Sequence, residues 1–409
     1  MIRLKQIRPR KVPRADIVVL NLHLSPFVED CVHGFNYLSL DLKNPIIYFD
    51  LRFLSALVRA NRKVSRLAAW IIAVTQASGS HVILTMDNFD TNNHHGGSAT
   101  LLEEISTVCE GIHLLSIQHG QELRRLIPTS STKDVTLLCW GDWVRDNFPR
   151  FGRKEAKYVT VGALVNDQYL RVRPTVSKQN QLLIISTVKD ETWWGDGGGE
   201  RQYGYGTLID YIKRYCATQN IRPIVALTID RDHDPTVNEA QLEREWFTKR
   251  FGGDIQFSEP RSLFGSGGPL GFPARAPRYT KERYATYFLS DCSEVTIGMS
   301  STVLWESFAR GNKILSVNPT DNETYNFPVD GPWSLQKPSY EEFSSRLEWL
   351  LQLEADQWEA ISRDPRGYLV DLSEPGSVSG RISEEIQKCI DLNLKADTTD
   401  FFKVGECDY

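Results

Sequence analysis

The sequence has no long apolar run and no recognisable leader. Its longest unbroken apolar run, Leu67–Val74, is too short for a bilayer, which a helix needs about 20 residues to cross. The N-terminus shows no secretory signal peptide. The seven cysteines are scattered and form no Cys-x-x-Cys pair, which argues against structural zinc and for a reducing compartment. These absences predict a cytoplasmic protein.

Several enzyme signatures are also missing. No Gly-x-Gly-x-x-Gly follows the first predicted strand, which argues against a nicotinamide dehydrogenase. No Gly-x-Ser-x-Gly elbow is present, which argues against a hydrolase of the α/β class. The glycine-rich run at 195–206 is not followed by Gly-Lys-Ser/Thr, so it is not a P-loop.

What is present is the composition of an ordinary globular protein. The 409 residues are 41% hydrophobic and 24% charged with a formal net charge of −5, which predicts about two domains and no general nucleic-acid binder. The N-terminus is a local exception. We interpret it either as a solvated tail or as an arm that contacts an anionic membrane. Its basic residues are Arg3, Lys5, Arg8, Arg10, Lys11 and Arg14.

Short β-rich runs alternate with helical patterns along two stretches of the chain. In the first stretch, strands are predicted at 16–21, 81–86, 112–117, 135–139 and 158–161, and helices at 51–60, 64–77 and 100–109. A polar linker is predicted at 171–181. In the second stretch, strands are predicted at 182–186 and 223–228, and helices at 208–219, 238–251 and 281–289. The glycine- and proline-rich span 261–277 is predicted to be an irregular loop. Ser339 and Glu342 predict a capping box at the start of a helix, and the apolar stripe Val378, Ile382, Ile386 and Ile390 predicts a final helix. This alternation predicts an α/β protein with two Rossmann-like, doubly wound domains that face a cleft.

The run EVTIGMSSTVLWESFARGNKILSVN, residues 294–318, reads as strand, tight turn, helix and strand. Gly298 is predicted to end the first strand and allow the turn, and Gly311 to cap the helix. The hydroxyl residues Ser300, Ser301 and Thr302 stand where the helix begins, so their backbone N–H groups and the helix dipole suit a phosphate. Glu306 lies one turn further along the same face, where its carboxylate suits a ribose diol. The alternative is an ordinary helix capped by serine and threonine.

This run resembles the donor-nucleotide motif of GT-B glycosyltransferases and their epimerase relatives. The resemblance implies that residues 300–302 bind the donor diphosphate and that Glu306 binds the ribose. Phe308-Ala309 and Asn312-Lys313 depart from the family pattern, and neither departure touches those positions. The resemblance also implies the GT-B arrangement, with an acceptor-binding domain at 1–172, a donor-binding domain at 180–376, and a helix and tail at 377–409.

His119 follows a predicted strand and precedes Gly120, so we expect it to point into the cleft and to take a proton from an acceptor hydroxyl. The alternative is a histidine that caps a helix. Asp87 follows the strand at 81–86 and either orients His119 or belongs to a plain turn. The run Gln118-His119-Gly120, with Trp140-Gly141 after the next strand, resembles bacterial surface-carbohydrate transferases of the capsule, O-antigen and teichoic-acid type, in which the His-Gly pair is catalytic.

Three further features carry weaker predictions. Lys189 follows the strand at 182–186 and either stabilises the leaving phosphate or is an exposed loop lysine. Trp193, Trp194, Tyr203 and Tyr205 form either a stacking platform for a sugar or base or a packed loop. No metal is predicted, because Asp90, His94 and His95 lack a ligand spacing and the GT-B class needs none.

The sequence thus predicts a metal-independent glycosyltransferase without a cofactor, which moves a sugar from a nucleotide donor to a surface polysaccharide or glycolipid acceptor. We expect it in the cytoplasm or at the inner face of the membrane. One alternative is a teichoic-acid-type polyol-phosphate transferase with a CDP-activated alcohol. A CMP-sugar (Kdo or sialic acid) transferase is disfavoured by the absence of a His-Pro pair. A binding protein without catalysis is the third alternative.

Overall fold

The computed structural model divides the chain into two compact units. Unit 1 comprises Met1–Asp167 and Glu374–Tyr409, and unit 2 comprises Gln168–Ser373. The structure describes residues 7–8, 11–20, 26–42, 45–86, 101–109, 111–118, 135–151, 157–187, 198–227, 239–252, 255–258, 278–372, 374 and 376–396.

Unit 1 is built on a six-stranded parallel sheet in the order β3-β2-β5-β6-β7-β8. These strands are β2 (Ile17–Leu20), β3 (Tyr37–Leu40), β5 (Val82–Thr85), β6 (His113–Ile117), β7 (Val135–Cys139) and β8 (Lys157–Thr160). A separate parallel pair joins β1 (Ile7–Arg8) to β4 (Ile47–Tyr48). Both β2 and β5 are buried at every position, as expected of strands covered on both faces.

The helices of unit 1 are α1 (Glu29–Val32), α2 (Leu51–Ala60), α3 (Arg66–Ser78), α4 (Leu101–Val108), α5 (Asp142–Asn147), α6 (Leu164–Val172) and α13 (Val378–Ala396). The first residues of α6 belong to unit 1 and the rest to unit 2. Helix α3 is almost wholly buried and contributes to the same apolar cluster as the inner face of α2.

Helix α13 returns the end of the chain to unit 1. Its predicted apolar stripe is confirmed at Val378, Ile382 and Ile386, which are fully buried. The Ser383 hydroxyl donates to the Cys31 carbonyl across 2.8 Å.

Unit 2 contains a second six-stranded parallel sheet, in the order β11-β10-β9-β12-β13-β14. Its strands are β9 (Gln179–Ile185), β10 (Ile224–Ala226), β11 (Gln256–Phe257), β12 (Ser293–Gly298), β13 (Ile314–Asn318) and β14 (Ser334–Gln336). Its other helices are α7 (Gly198–Gln219), α8 (Glu239–Phe251), α9 (Arg278–Cys292), α10 (Thr302–Ala309), α11 (Tyr340–Gln352) and α12 (Ala355–Leu369). The fold is therefore two doubly wound αβ units, as the sequence predicts.

Several boundaries differ from the prediction. The polar stretch expected to be a linker ends in a strand, because β9 begins at Gln179, which pairs with Ser293 of β12. Helix α7 begins ten residues before the predicted 208, since the glycines of its first turns do not prevent a helix that packs on the sheet. The glycine- and proline-rich stretch expected to be a loop, 261–277, lies outside the described residues.

Within the described part of the chain, no helix is both long and apolar enough to cross a membrane.

Candidate functional site

The carboxyl ends of β9 and β12 mark the point in unit 2 where the strand order reverses. The chain adds β10 and β11 on one side of β9, and then β12, β13 and β14 on the other side. Strand β9 pairs with β10 on one side and with β12 on the other, and β12 runs beside it with Ile297 opposite Ile184. A Cβ atom placed on Gly298 would lie only 3.3 Å from Cβ of Ile185. Ligands of open αβ sheets bind at such a switch point, outside the carboxyl ends of the strands.

The turn that leaves β12 is formed by Ser300. Its backbone is left-handed, with φ of +48°, and it is 9% exposed. Gly298 ends the strand as predicted but has no positive φ, and the left-handed residue of the turn is Ser300 instead. The missing side chain of Gly298 allows close packing against Ile185 and Leu304. Ser301 then caps α10, because its hydroxyl accepts the backbone N–H of Val303 across 3.3 Å.

Glu306 lies one turn inside α10 and is fully buried, whereas Thr302 at the first helical position is half-buried. The Glu306 backbone carbonyl accepts two hydrogen bonds from Arg310, one from the backbone N–H and one from Nη1. Gly311 ends the helix with φ of +89°, as the sequence predicts. The N-terminus of α10 thus combines helix-terminal N–H groups, three hydroxyl side chains and a buried carboxylate.

Two hydroxyl residues, Ser186 and Thr187, directly follow β9 at the carboxyl edge of the same sheet. Ser186 donates to Glu243 Oε1 on α8, and both side chains are buried. Thr187 is 6% exposed, and its Oγ1 atom has no hydrogen-bond partner among the described residues. Sequence reasoning missed these residues, although their position directly after an apolar strand is the same signal that singled out Lys189.

Of the two alternatives for the aromatic residues, the stacking platform is wrong for Tyr205. This residue lies in α7 and is fully buried, where its hydroxyl donates to the Ile185 carbonyl across 3.0 Å and its ring stacks on Trp246 at 6.0 Å. Tyr203 is exposed. Trp193 and Trp194 lie outside the described residues.

In unit 1, β5, β6 and β7 are consecutive neighbours in the sheet. The fully buried Gln118 follows β6, and its Oε1 accepts the backbone N–H of Trp140 across 2.9 Å. The Trp140 indole N–H donates back to the Gln118 carbonyl, also across 2.9 Å. This reciprocal pair fixes the ends of β6 and β7 relative to each other.

The predicted site residues His119, Asp87 and Lys189 lie outside the described residues, as do Asp90, His94 and His95. They remain predictions. Among the residues that are described, no three histidine, cysteine or acidic side chains come together as a possible metal site.

The buried cysteines are poor candidates for nucleophiles. Burial raises the pKa of Cys109 and of Cys292 to about 11, and that of Cys139 and of Cys216 to about 12. A thiol with so high a pKa is almost entirely protonated near pH 7, whereas the thiolate is the reactive form.

A buried cluster of charged and polar side chains lies at the C-terminal end of α10. Arg310 Nε donates to Asp291 Oδ1 across 2.9 Å, and both side chains are almost inaccessible. Asp291 also accepts from the Tyr169 hydroxyl at 3.0 Å and from the Asn312 amide at 2.7 Å. Burial lowers the pKa of Lys178, whose Nζ donates to the Ser293 carbonyl across 2.8 Å. The helix that carries the candidate phosphate site is therefore fixed at its C-terminal end.

Comparison with known proteins places the chain by fold. No protein-family model matches it, and no curated protein is similar to it in sequence. A Listeria monocytogenes protein assigned as a UDP-N-acetylglucosamine 2-epimerase superimposes with a TM-score of 0.50 at 13% identity, covering 96% of this chain and 98% of that one.

Two other solved structures are similar to a lesser degree. A glycosyltransferase from Rickettsia africae has a TM-score of 0.48 at 10% identity, covering 92% of this chain and 99% of that one. The wall teichoic acid polymerase TagF has a TM-score of 0.48 at 12% identity, covering 96% of this chain and 92% of that one. The likeness to the Listeria protein, with the two doubly wound sheets, confirms at the level of fold the GT-B resemblance noted from the sequence.

Proposed function

We propose that the protein is a metal-independent glycosyltransferase that uses a nucleotide-activated sugar. The observation that carries this proposal is the N-terminus of α10 at the switch point of unit 2, where Ser300, Ser301 and Thr302 precede the buried Glu306. Helix-terminal N–H groups and hydroxyls suit a diphosphate, and an acceptor-only carboxylate one turn away suits the ribose diol.

In this proposal α10 serves the leaving group. When the acceptor oxygen attacks the anomeric carbon, the bond from that carbon to the diphosphate oxygen breaks and negative charge builds up on the phosphate. The helix N-terminus stabilises that charge without rearranging, because the buried Arg310–Asp291 pair holds the helix in place. Lys189 adds a positive charge at the same phosphate.

The proton of the acceptor hydroxyl goes to His119, which acts as general base, and Asp87 orients its imidazole. His119 follows Gln118 in the sequence, and the Gln118–Trp140 pair gives the preceding strand a fixed end. The acceptor is a surface polysaccharide or glycolipid, and the protein acts in the cytoplasm at the inner face of the membrane.

The test is thermal unfolding of the full chain with UDP, GDP, dTDP, CDP, CMP and ADP. A nucleotide at a hundred times its dissociation constant stabilises the folded state by about 2.7 kcal/mol, which gives a clear shift in Tm. We expect one diphosphate to respond and Glu306→Gln to remove most of its shift. Glu385→Gln is the matched control, because Glu385 is also a buried glutamate but lies on α13 in unit 1.

The same panel separates the alternatives. A response to CDP followed by transfer of a phosphopolyol, seen in the product mass, would replace the sugar transferase by a polyol-phosphate transferase. A response to CMP alone would indicate a CMP-sugar donor. If no nucleotide shifts the Tm, the proposed donor site is wrong. With a responding donor in hand, His119→Ala should lower turnover by a factor of about 10²–10⁴, and unchanged turnover would exclude His119 as the base.

A further inference from the structure

Helix α2 has two apolar faces, and only one of them is buried. Phe53, Ala56 and Ala60 join the apolar core of unit 1. On the opposite side, Leu51 and Val58 are 86% and 59% exposed, and Leu54 lies between them on the same row. The outer face of a surface helix is ordinarily polar, so a row of three apolar side chains at this spacing is unusual.

The segment that carries this row is basic. Residues 51–66 contain five exposed basic side chains and no acidic one, namely Arg52, Arg59, Arg62, Lys63 and Arg66. Among the described residues, Asp50 and Glu104 contact the segment, and both accept backbone N–H groups: Asp50 from Arg52 at the start of α2, and Glu104 from Ser65. Arg52 and Arg59 lie about a third of a turn from the apolar row, on one flank of the helix.

Residues 7–8 of the basic N-terminal segment pair with the short strand that precedes α2. In the small parallel sheet, Ile7 pairs with Ile47 and Arg8 pairs with Tyr48. The next residue, Phe49, is 60% exposed and lies two positions before α2 begins. Phe49 and the outer side of α2 therefore define one surface, which carries both apolar and basic side chains.

We propose that this surface docks on an anionic lipid bilayer. The exposed apolar side chains would enter the boundary between headgroups and acyl chains, and the basic side chains would contact lipid phosphates from the rim. Single exposed apolar residues are common on soluble proteins, but here four fall within ten residues, in and beside a segment with five basic residues and no acidic one. The charge complementarity favours lipid over an apolar protein partner, which would not require basic residues beside the apolar row.

The experiment is co-sedimentation of the full chain with vesicles of phosphatidylcholine alone or with about one third phosphatidylglycerol. We expect binding only to the anionic vesicles, weakened by salt as screening sets in. Leu51→Ser/Leu54→Ser/Val58→Ser should weaken the partition constant at least tenfold. Arg52→Glu/Arg59→Glu should weaken it by more than tenfold, at about fivefold for each charge removed near the surface.

Leu242→Ser/Ile361→Ser/Leu392→Ser is the matched control, since these three apolar side chains are exposed on other helices. It should bind like the unaltered protein, and far-ultraviolet circular dichroism checks that all variants fold. If the triple variant of α2 binds anionic vesicles normally, the basic arm alone is responsible and the proposal is wrong. If it instead abolishes self-association measured by light scattering without vesicles, the surface is an interface between two copies and the proposal is equally wrong.

Discussion

Ser300 stands in a left-handed backbone conformation that side chains other than glycine adopt at a cost of about 1–2 kcal/mol. Glycine would fit this conformation better, yet the chain has a serine at the start of the candidate phosphate site. Non-glycine residues in unfavourable conformations concentrate at functional sites, where the surrounding structure holds them. We therefore interpret the serine as retained for its hydroxyl.

Ser300→Gly is expected to change stability and nucleotide binding in opposite directions. Relief of strain, offset in part by the larger entropy of glycine in the unfolded chain, should raise the free energy of unfolding by about 0.5 kcal/mol. The same change should weaken binding of the responding nucleotide several-fold, because a hydroxyl donor to the phosphate is lost. Urea unfolding and titration calorimetry measure the two effects.

Lys337→Gly is the control for this prediction, since Lys337 has the same φ of +48°. Its ion pair with Asp321 is largely exposed and contributes little to stability. It should therefore gain similar stability and bind nucleotide normally. Equal nucleotide affinity for Ser300→Gly and the unaltered protein would remove Ser300 from the site.

Sequence reasoning found the residue types of this site but not the backbone that arranges them. It assigned the turn to Gly298, because glycine is the usual residue where a strand ends sharply. The structure uses that glycine for close contact with the neighbouring strand, and this contact depends on β9, more than a hundred residues earlier in the chain. The buried Thr187 hydroxyl, which has no hydrogen-bond partner within the described part of the chain, was missed for the same reason, because burial is set by distant elements.

At the scale of elements, α10 depends on the buried ion pair at its C-terminal end. Arg310→Met would leave the Asp291 carboxylate buried with its neutral donors Tyr169 and Asn312 but without its closest cation. Removal of one partner of a buried pair costs about 3–5 kcal/mol. We expect a loss of that size in the free energy of unfolding, measured with urea.

Arg363→Met is the matched change at the surface. Arg363 also pairs with a carboxylate, Glu359, at 3.0 Å, but its side chain is 71% exposed. Exposed pairs contribute about 0–1 kcal/mol, so this variant should stay close to the unaltered protein. If the two variants lose the same stability, the buried cluster does not hold α10.

Periodicity predicted most elements well, because it reports which face of an element is buried. Helix α2 matches its predicted range, and Ser339 forms the predicted capping box with Glu342 at the start of α11. The elements that the sequence did not predict are those whose local pattern is weak. Strands β11 and β14 have only two and three residues, and they form because they add to a sheet edge that the rest of the unit provides.

At the scale of the whole molecule, the C-terminal part of the chain belongs to the same unit as the N-terminal part. The stripe of α13 is visible in the sequence, but an apolar stripe does not identify the surface that covers it. The structure assigns α13 to unit 1 with residues from the opposite end of the chain, including the contact from Ser383 to Cys31. Unit 1 is thus closed by its last helix, whereas unit 2 is one continuous segment.

This organisation predicts that damage to one unit leaves the other intact. Ile382→Ala removes a fully buried side chain from α13 and should cost about 2–5 kcal/mol. We expect faster amide hydrogen exchange in unit 1, at β2 and β5, and unchanged exchange at β9 and β12, because opening reactions follow cooperative units.

Leu347→Ala is the reciprocal variant, since Leu347 is equally buried on α11 in unit 2. It should accelerate exchange at β9 and β12 and spare β2 and β5. Excess of the responding nucleotide should then slow exchange at β9 and β12 in the Ile382→Ala protein, because the candidate donor site lies wholly in unit 2. If either variant accelerates exchange in both sheets to the same extent, the two units unfold together, and loss of α13 would also destroy the donor site.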